Sequence, residues 1–306
     1  MIRRPPRSTR KESSAASDVY KRQATYGKVV FLFVNLLDKT KLLYLRMKKN
    51  IFFLLLGLFF STCDSSDKND SKECIALENP PFGGTIFIDP DIITPTDPTT
   101  FISLTYNGQA SRIMFDRREN NWVTLNPYLF PSEYDDGITI EIQVNPEFGS
   151  MELAKIQADK YAPIIGQLTT ELRKDVKTVW IHRGNEPFGG GNNNLLIHTD
   201  WSEKNYEEQG ILEETLVHEA AHTSLDSYHA EAADWLSAQS LDCNFISDYG
   251  RDNPIREDIA ESYLPYIAIR YRSDRISASL KKTIESTIPN RINYFDAQNF
   301  NMYPIE

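Results

Sequence analysis

The chain has 306 residues, 41% hydrophobic and 25% charged, proportions that support a globular fold with a sizeable core and exclude general disorder. The formal net charge of −10 is unevenly spread: residues 1–62 carry 13 basic and 3 acidic side chains, which leaves the rest of the chain at −20. A body this acidic repels phosphate backbones, which weighs against a nucleic-acid partner and leaves solubility as the plain reading of the charge.

Along the chain, residues 1–46 read as a non-native leader. "MIRRPPRSTR" and "SSAASDVYKRQ" (13–23) resemble translated sequencing-adaptor read-through, and the segment is basic and without periodicity. Met47 is the expected start. Lys48 and Lys49 are followed by ten apolar residues, 51–60, too few to span a bilayer and suited to a secretory signal. The "FSTC" that ends this stretch resembles a bacterial lipoprotein signal over residues 47–63, with Cys63 as the lipidated residue and Phe60 where a leucine is usual. The resemblance implies an exported lipoprotein, periplasmic or on the cell surface, held to the membrane by acyl chains. Residues 64–97 are expected to be a polar tether and an extended, Pro- and Thr-rich segment. Of the three cysteines, Cys74 and Cys243 remain, open to two readings: a disulfide or two free thiols.

Residues 98–306 form the expected folded domain, with a sheet-bearing half at 98–205 and a helical half at 206–306. Strands are predicted at 101–106 and 111–118, joined by a tight turn at Asn107-Gly108, and at 138–145, where apolar and polar residues alternate. A helix is predicted over 151–172 with Ser150 as cap, then a strand at 177–183, a Gly- and Asn-rich loop "NEPFGGGNNN", and a short strand at 195–199. Helices follow at 209–226, 230–242, 254–272 and 277–286, the third capped by Asn253 with Pro254 at its first position. Strands first and helices afterwards indicate an α+β fold.

The chemistry is concentrated in "LVHEAAHTSLD" (216–226). On a helix, residues four apart share a face, so His218 and His222 project together and can reach one zinc ion. Glu219 lies beside them, placed to act as general base on a water. The apolar Ile211, Leu212, Leu216 and Val217 indicate a helix that packs, and a metal is the simplest way to satisfy two inward histidines. Zinc requires a third protein ligand. The metzincin pattern is excluded, because Leu225 stands at its glycine and Tyr228 at its last histidine; His229 falls one residue late and is a minor candidate. Glu257 and Glu261 are four apart on a later helix, so one can bind the metal while the other orients a ligating histidine.

This pairing of H-E-x-x-H with a downstream E-x-x-x-E resembles the gluzincin metallopeptidases, and "SDYGRDNPIREDIAES" is similar to the corresponding segment of the lethal-factor type. The resemblance, which covers about 195–271, implies a zincin-like domain: a small twisted sheet, an active-site helix and a helical subdomain. It implies Zn2+ as cofactor, Glu257 as third ligand, Glu261 and Asp226 as carboxylates supporting the histidines, and Tyr249 as donor to the oxyanion. Tyr249 and Glu257 are eight residues apart, one more than in the lethal-factor type. His182, His198 and Arg251 are lesser candidates for the oxyanion donor, and the strand of His198 would border the substrate cleft. Packing is the competing reading for the two histidines, and Trp180 and Trp235 read as core. The "LEETLVHEAAHTSLD" and "NPxREDIAES" blocks also resemble a group of bacterial secreted proteins of unassigned activity. The expected function is hydrolysis of peptide or protein substrates. A cell-wall amidase would use the same site, and a surface-anchored binding lipoprotein with a structural or inactive zinc site is the alternative from another class.

Overall fold

The computed structural model describes residues 79–305, so the leader, the signal segment, Cys63 and Cys74 lie outside the described residues. The architecture is α+β. In chain order the strands are β1 (Phe101–Leu104), β2 (Arg112–Asp116), β3 (Asn121–Leu125), β4 (Tyr128–Tyr134) and β5 (Thr139–Val144). Helix α1 (Met151–Ile165) and the short α2 (Thr170–Arg173) precede β6 (Thr178–His182), β7 (Gly189–Gly191) and β8 (Asn194–His198). Helices then run as α3 (Thr199–Ser202), α4 (Leu212–Ser224), α5 (Asp226–His229), α6 (Ala233–Asp242), α7 (Asp248–Asp252), α8 (Asp258–Tyr271), α9 (Ala278–Thr287) and α10 (Pro289–Ala297).

Six strands form one sheet in the order β1-β4-β5-β6-β8-β7, with β5, β6 and β8 parallel and both flanks antiparallel. The parallel strands are apolar because both faces are covered. Val179, Ile181, Leu195 and Ile197 join the main core with α1 and α4, whereas Trp180 and Leu196 pack on Met114 of the separate β2–β3 hairpin.

Several predicted boundaries move for visible reasons. Asn107-Gly108 does not join β1 to β2. Asn107 N–H donates to Leu129 O and Leu129 N–H donates to Gly108 O, so this stretch stays alongside β4. Strands β3 and β4 were not predicted; Pro131 interrupts the pattern of β4, yet its carbonyl still accepts Thr105 N–H. The predicted helix 151–172 ends at Ile165, with Ser150 capping it as expected. Gly166 follows because the chain at 99–101 crosses there: a Cβ would lie 2.3 Å from Thr99 Oγ1 and 2.8 Å from Phe101 N.

The glycine loop is not a loop. Gly189–Gly191 is edge strand β7, which packs on α4 so closely that a Cβ on Gly190 would lie 1.8 Å from the carbonyl oxygen of Glu219. Only glycine permits that approach. Strand β8 is therefore flanked on both sides, and the edge strand beside the helix of the motif is β7 rather than the strand of His198.

The extended segment expected before residue 98 is, over 79–97, a packed strap. Phe82 bridges Ser247 in parallel, a short 3-10 turn occupies Thr85–Phe87, and Ile92 and Ile93 are buried. Asp97 pairs with Arg275. Cys243, in a left-handed conformation (φ 61°) after α6, is disulfide-bonded, which removes the free-thiol reading for that residue; its partner lies outside the described residues. Among the described residues no helix is long and apolar enough to cross a membrane.

Candidate metal centre

Helix α4 buries Leu216, Val217, Ala220 and Ala221 completely, which turns its other face towards α8. His218 and His222 lie on that face. Helix α8 begins at Asp258, four residues later than predicted. Asn253-Pro254 instead opens a turn in which Asn253 O accepts the N–H of Arg256 and of Glu257. Glu257 occupies the capping position with helical backbone angles, and Glu261 N–H donates to Glu257 O, so the two glutamates share a face as expected.

The site residues converge. His222 Nε2 lies 3.2 Å from His218 Nε2 and 3.0 Å from Glu257 Oε2, and His218 Nε2 lies 3.5 Å from that oxygen. A tetrahedral cation with bonds of about 2.0–2.1 Å has ligand–ligand edges of about 3.3 Å, which matches this triangle. Glu257 Oε2 is buried and accepts no hydrogen bond from any described residue. Three lone-pair atoms facing one another, one of them an orphaned carboxylate oxygen, are what a divalent cation would resolve. Among the described residues this is the one His/Glu group with metal-ligand spacing.

The outer contacts fit the same reading. Asp226 Oδ2 accepts a hydrogen bond from His222 Nδ1 at 2.8 Å, which turns the Nε2 lone pair towards the triangle. Glu261 Oε1 faces His218 Nδ1 at 3.4 Å, close enough for charge attraction though not a well-directed hydrogen bond. Glu257 Oε1 accepts bonds from Tyr249 Oη at 3.0 Å and Arg256 Nε at 2.9 Å, so its second oxygen is fixed while the first is left for the cation.

Burial alone would strip protons from both histidines. The carboxylates reverse this: Glu257 and Glu261 hold His218 above its ordinary value, and Glu257 and Asp226 hold His222 well above it. Burial also opposes the charge on Glu257, but the two histidines outweigh it and keep that carboxyl far below the usual range. The metal-free cluster therefore stores protons that a cation must displace. Burial, then Glu257, pushes the Tyr249 hydroxyl far above its ordinary value, so it is a donor throughout the physiological range.

Glu219 is half-buried, follows His218 directly on α4, and its charge helps to raise His218 and Tyr249. The lesser candidates fall away. His229 bonds Tyr294 Oη and packs on Phe300. Arg251 is exposed and paired with Asp248 and Asp252. His182 and His198 stack on each other, fully buried, on the sheet face of Trp180 and Leu196, opposite to α4. Burial holds both at about 4, so they are neutral packing residues. Trp235 and Trp180 are core.

Sequence reasoning did not find Arg256, Ser247, Thr85 or Gly190. Gly190 had a signal, since three consecutive glycines at a strand position mark close approach of another backbone. Arg256 pairs with its sequence neighbour Glu257, and Ser247 and Thr85 act through long-range contacts that no spacing reveals. In comparison with known proteins, no family model, no curated protein and no solved structure matches the chain.

Proposed function

We propose that the protein is a zinc-dependent peptidase with a zincin-like catalytic domain of the gluzincin type, exported and lipid-anchored through Cys63, acting on peptide or protein substrates. The observation that carries the reading is the triangle of His218 Nε2, His222 Nε2 and Glu257 Oε2, with Glu219 and Tyr249 at its side. A bound Zn2+ supplies Lewis acidity, activating water and polarising the scissile carbonyl. Glu219 takes the proton of the attacking water and delivers it to the leaving amine. Tyr249, held protonated, donates to the oxygen on which negative charge develops. Asp226 and Glu261 orient the two imidazoles, and Arg256 steadies Glu257. A purely structural site would need a fourth protein ligand in place of an open position, and among the described residues the group stops at three.

Protein purified without chelator is expected to hold about one zinc ion per chain. Glu219→Gln should keep the zinc and lose hydrolysis of a peptide library, whereas His218→Ala should lose both. A wild-type protein that binds no zinc after reconstitution, or a Glu219→Gln variant as active as wild type, ends the proposal.

A further inference from the structure

The strap meets the site at more points than a simple covering would need. Thr85 N–H donates to Glu261 Oε2 at 2.8 Å, across 176 residues of sequence. The strap carbonyls of Phe82 and Gly83 accept the N–H groups of Asp248 and Tyr249. Eight residues after Thr85, Ile93 N–H donates to Glu214 Oε1, one helical turn before His218 on α4. The same segment thus reaches α8 through Glu261, α4 through Glu214, and the short helix α7 that carries Tyr249. All of its donors and acceptors here are main-chain groups, and both carboxylates are buried.

From this geometry we propose that the strap is a positioning element of the metal centre: Thr85 N–H fixes the carboxylate of Glu261, which orients His218, and so sets the affinity of the triad for its cation. This rests on the reading of the triad as a metal site. The physical case is that Glu261 has few partners to hold it. Ser247 donates to it, His218 Nδ1 faces it without a directed bond, and Thr85 N–H is the short, well-formed contact. Without that donor, the buried carboxylate is free to turn, and the ring it faces loses its orienting partner.

The backbone offers a clean test. Thr85 is the first residue of its 3-10 turn, and Gly84 before it is extended (φ −158°, ψ 150°). Proline is tolerated at a first helical position, and extended geometry is what it requires of the preceding residue. Thr85→Pro therefore suits the local backbone and deletes the N–H, and its ring, standing where the N–H pointed, also pushes Glu261 Oε2 aside, whereas Thr85→Ala keeps the N–H and removes only the side chain. Zn2+ affinity is read by competition with a chromophoric chelator, on proteins whose circular dichroism and melting match wild type. Thr85→Pro is expected to weaken zinc binding about tenfold or more, as loss of an outer support does, and Thr85→Ala to leave it unchanged. Glu261→Gln should weaken it too, and adding Thr85→Pro to Glu261→Gln should change little further, because both act through one carboxylate. If Thr85→Pro does not fold, Phe82→Ala takes its place: it loosens the strap at its bridge to Ser247 and should give a several-fold loss in folded protein. Zinc binding by folded Thr85→Pro at wild-type strength, or full additivity with Glu261→Gln, overturns the proposal and leaves the metal reading intact; so does unchanged affinity in Phe82→Ala. No zinc binding by wild type overturns both.

Discussion

Glu257 and Asp258 are adjacent in sequence and both buried, yet they sit in opposite electrostatic settings. Asp258 Oδ2 accepts a hydrogen bond from Arg291 Nε at 2.8 Å, and the same guanidinium reaches Asp242 Oδ2 at 2.9 Å, with all three side chains fully buried. This triad joins α6, α8 and α10 with a permanent cation built into the chain. Glu257 Oε2 faces two histidines instead, and an imidazole can discard its charge where a guanidinium cannot. The guanidinium of the first cluster keeps its charge throughout the physiological range. The second holds protons that a cation could displace, as the proposed function requires. A fixed charge is suited to holding helices together, an exchangeable one to chemistry.

The sharpest way to break the contrast is to remove one charged member from each cluster. Arg291→Met strands two buried carboxylates and is expected to lower stability by about 3–5 kcal/mol in urea unfolding. Glu257→Gln, one residue from Asp258, should instead cost the metal-free protein less than Arg291→Met does, because an imidazole can give up its charge when a partner is lost and a guanidinium cannot, while zinc affinity falls by about a hundredfold or more. Equal losses of metal-free stability in the two variants would erase the distinction.

The exchangeable character predicts a pH dependence. The metal-free pKa values of His218 and His222 are raised, so falling pH fills the site with protons and zinc affinity should drop, by up to about tenfold per pH unit for each proton displaced. Isothermal titration in buffers of different ionisation enthalpy counts those protons, and a count of zero contradicts the assignment.

Glu214 sharpens the comparison further, as a buried carboxylate with no cation at all. Burial raises it to about 8, so it is neutral in the folded protein at pH 7. Its raised value favours folding only below its unfolded pKa near 4.5, and that contribution is lost as pH rises towards 8. Glu214→Gln keeps an acceptor for Ile93 N–H and should stabilise the protein at pH 7, by at most about 3 kcal/mol, with no gain at pH 4. A melting-temperature difference that is the same at both pH values would contradict this. The same linkage applies to His182 and His198, depressed to about 4: the unfolded chain takes up protons below about 6.5 and the folded one does not, so stability should decline from pH 6.5 to 4, less so in His198→Gln.

Much of the site was legible because it depends on short spacings. His218, Glu219 and His222 follow from one helical turn, and Asp226 from the next; Glu257 and Glu261 share a face through the same i, i+4 geometry even though the helix starts later than Asn253-Pro254 implied. The α+β order was also legible, since it rests on periodicity within segments. What was not legible depends on pairing between segments. Asn107-Gly108 has the local chemistry of a hairpin turn, but bonding to Leu129 decides its role. The glycines of β7 look like a loop until Glu219 lies against them. The residues 79–97 look like spacer because their contacts use main-chain groups, which every sequence has.

The bonds of the strap span 121 residues to Glu214 and 176 to Glu261. The part of this fold synthesised first is thus closed by parts synthesised among the last. Contacts so distant in sequence form late and slowly, since loop closure precedes their gain. A chain interrupted before residue 257 lacks both Glu257 and Glu261, the carboxylate that the strap grips. In the order of synthesis, the residues of the proposed metal site are therefore brought together late, and a chain that stops short of them lacks the triad.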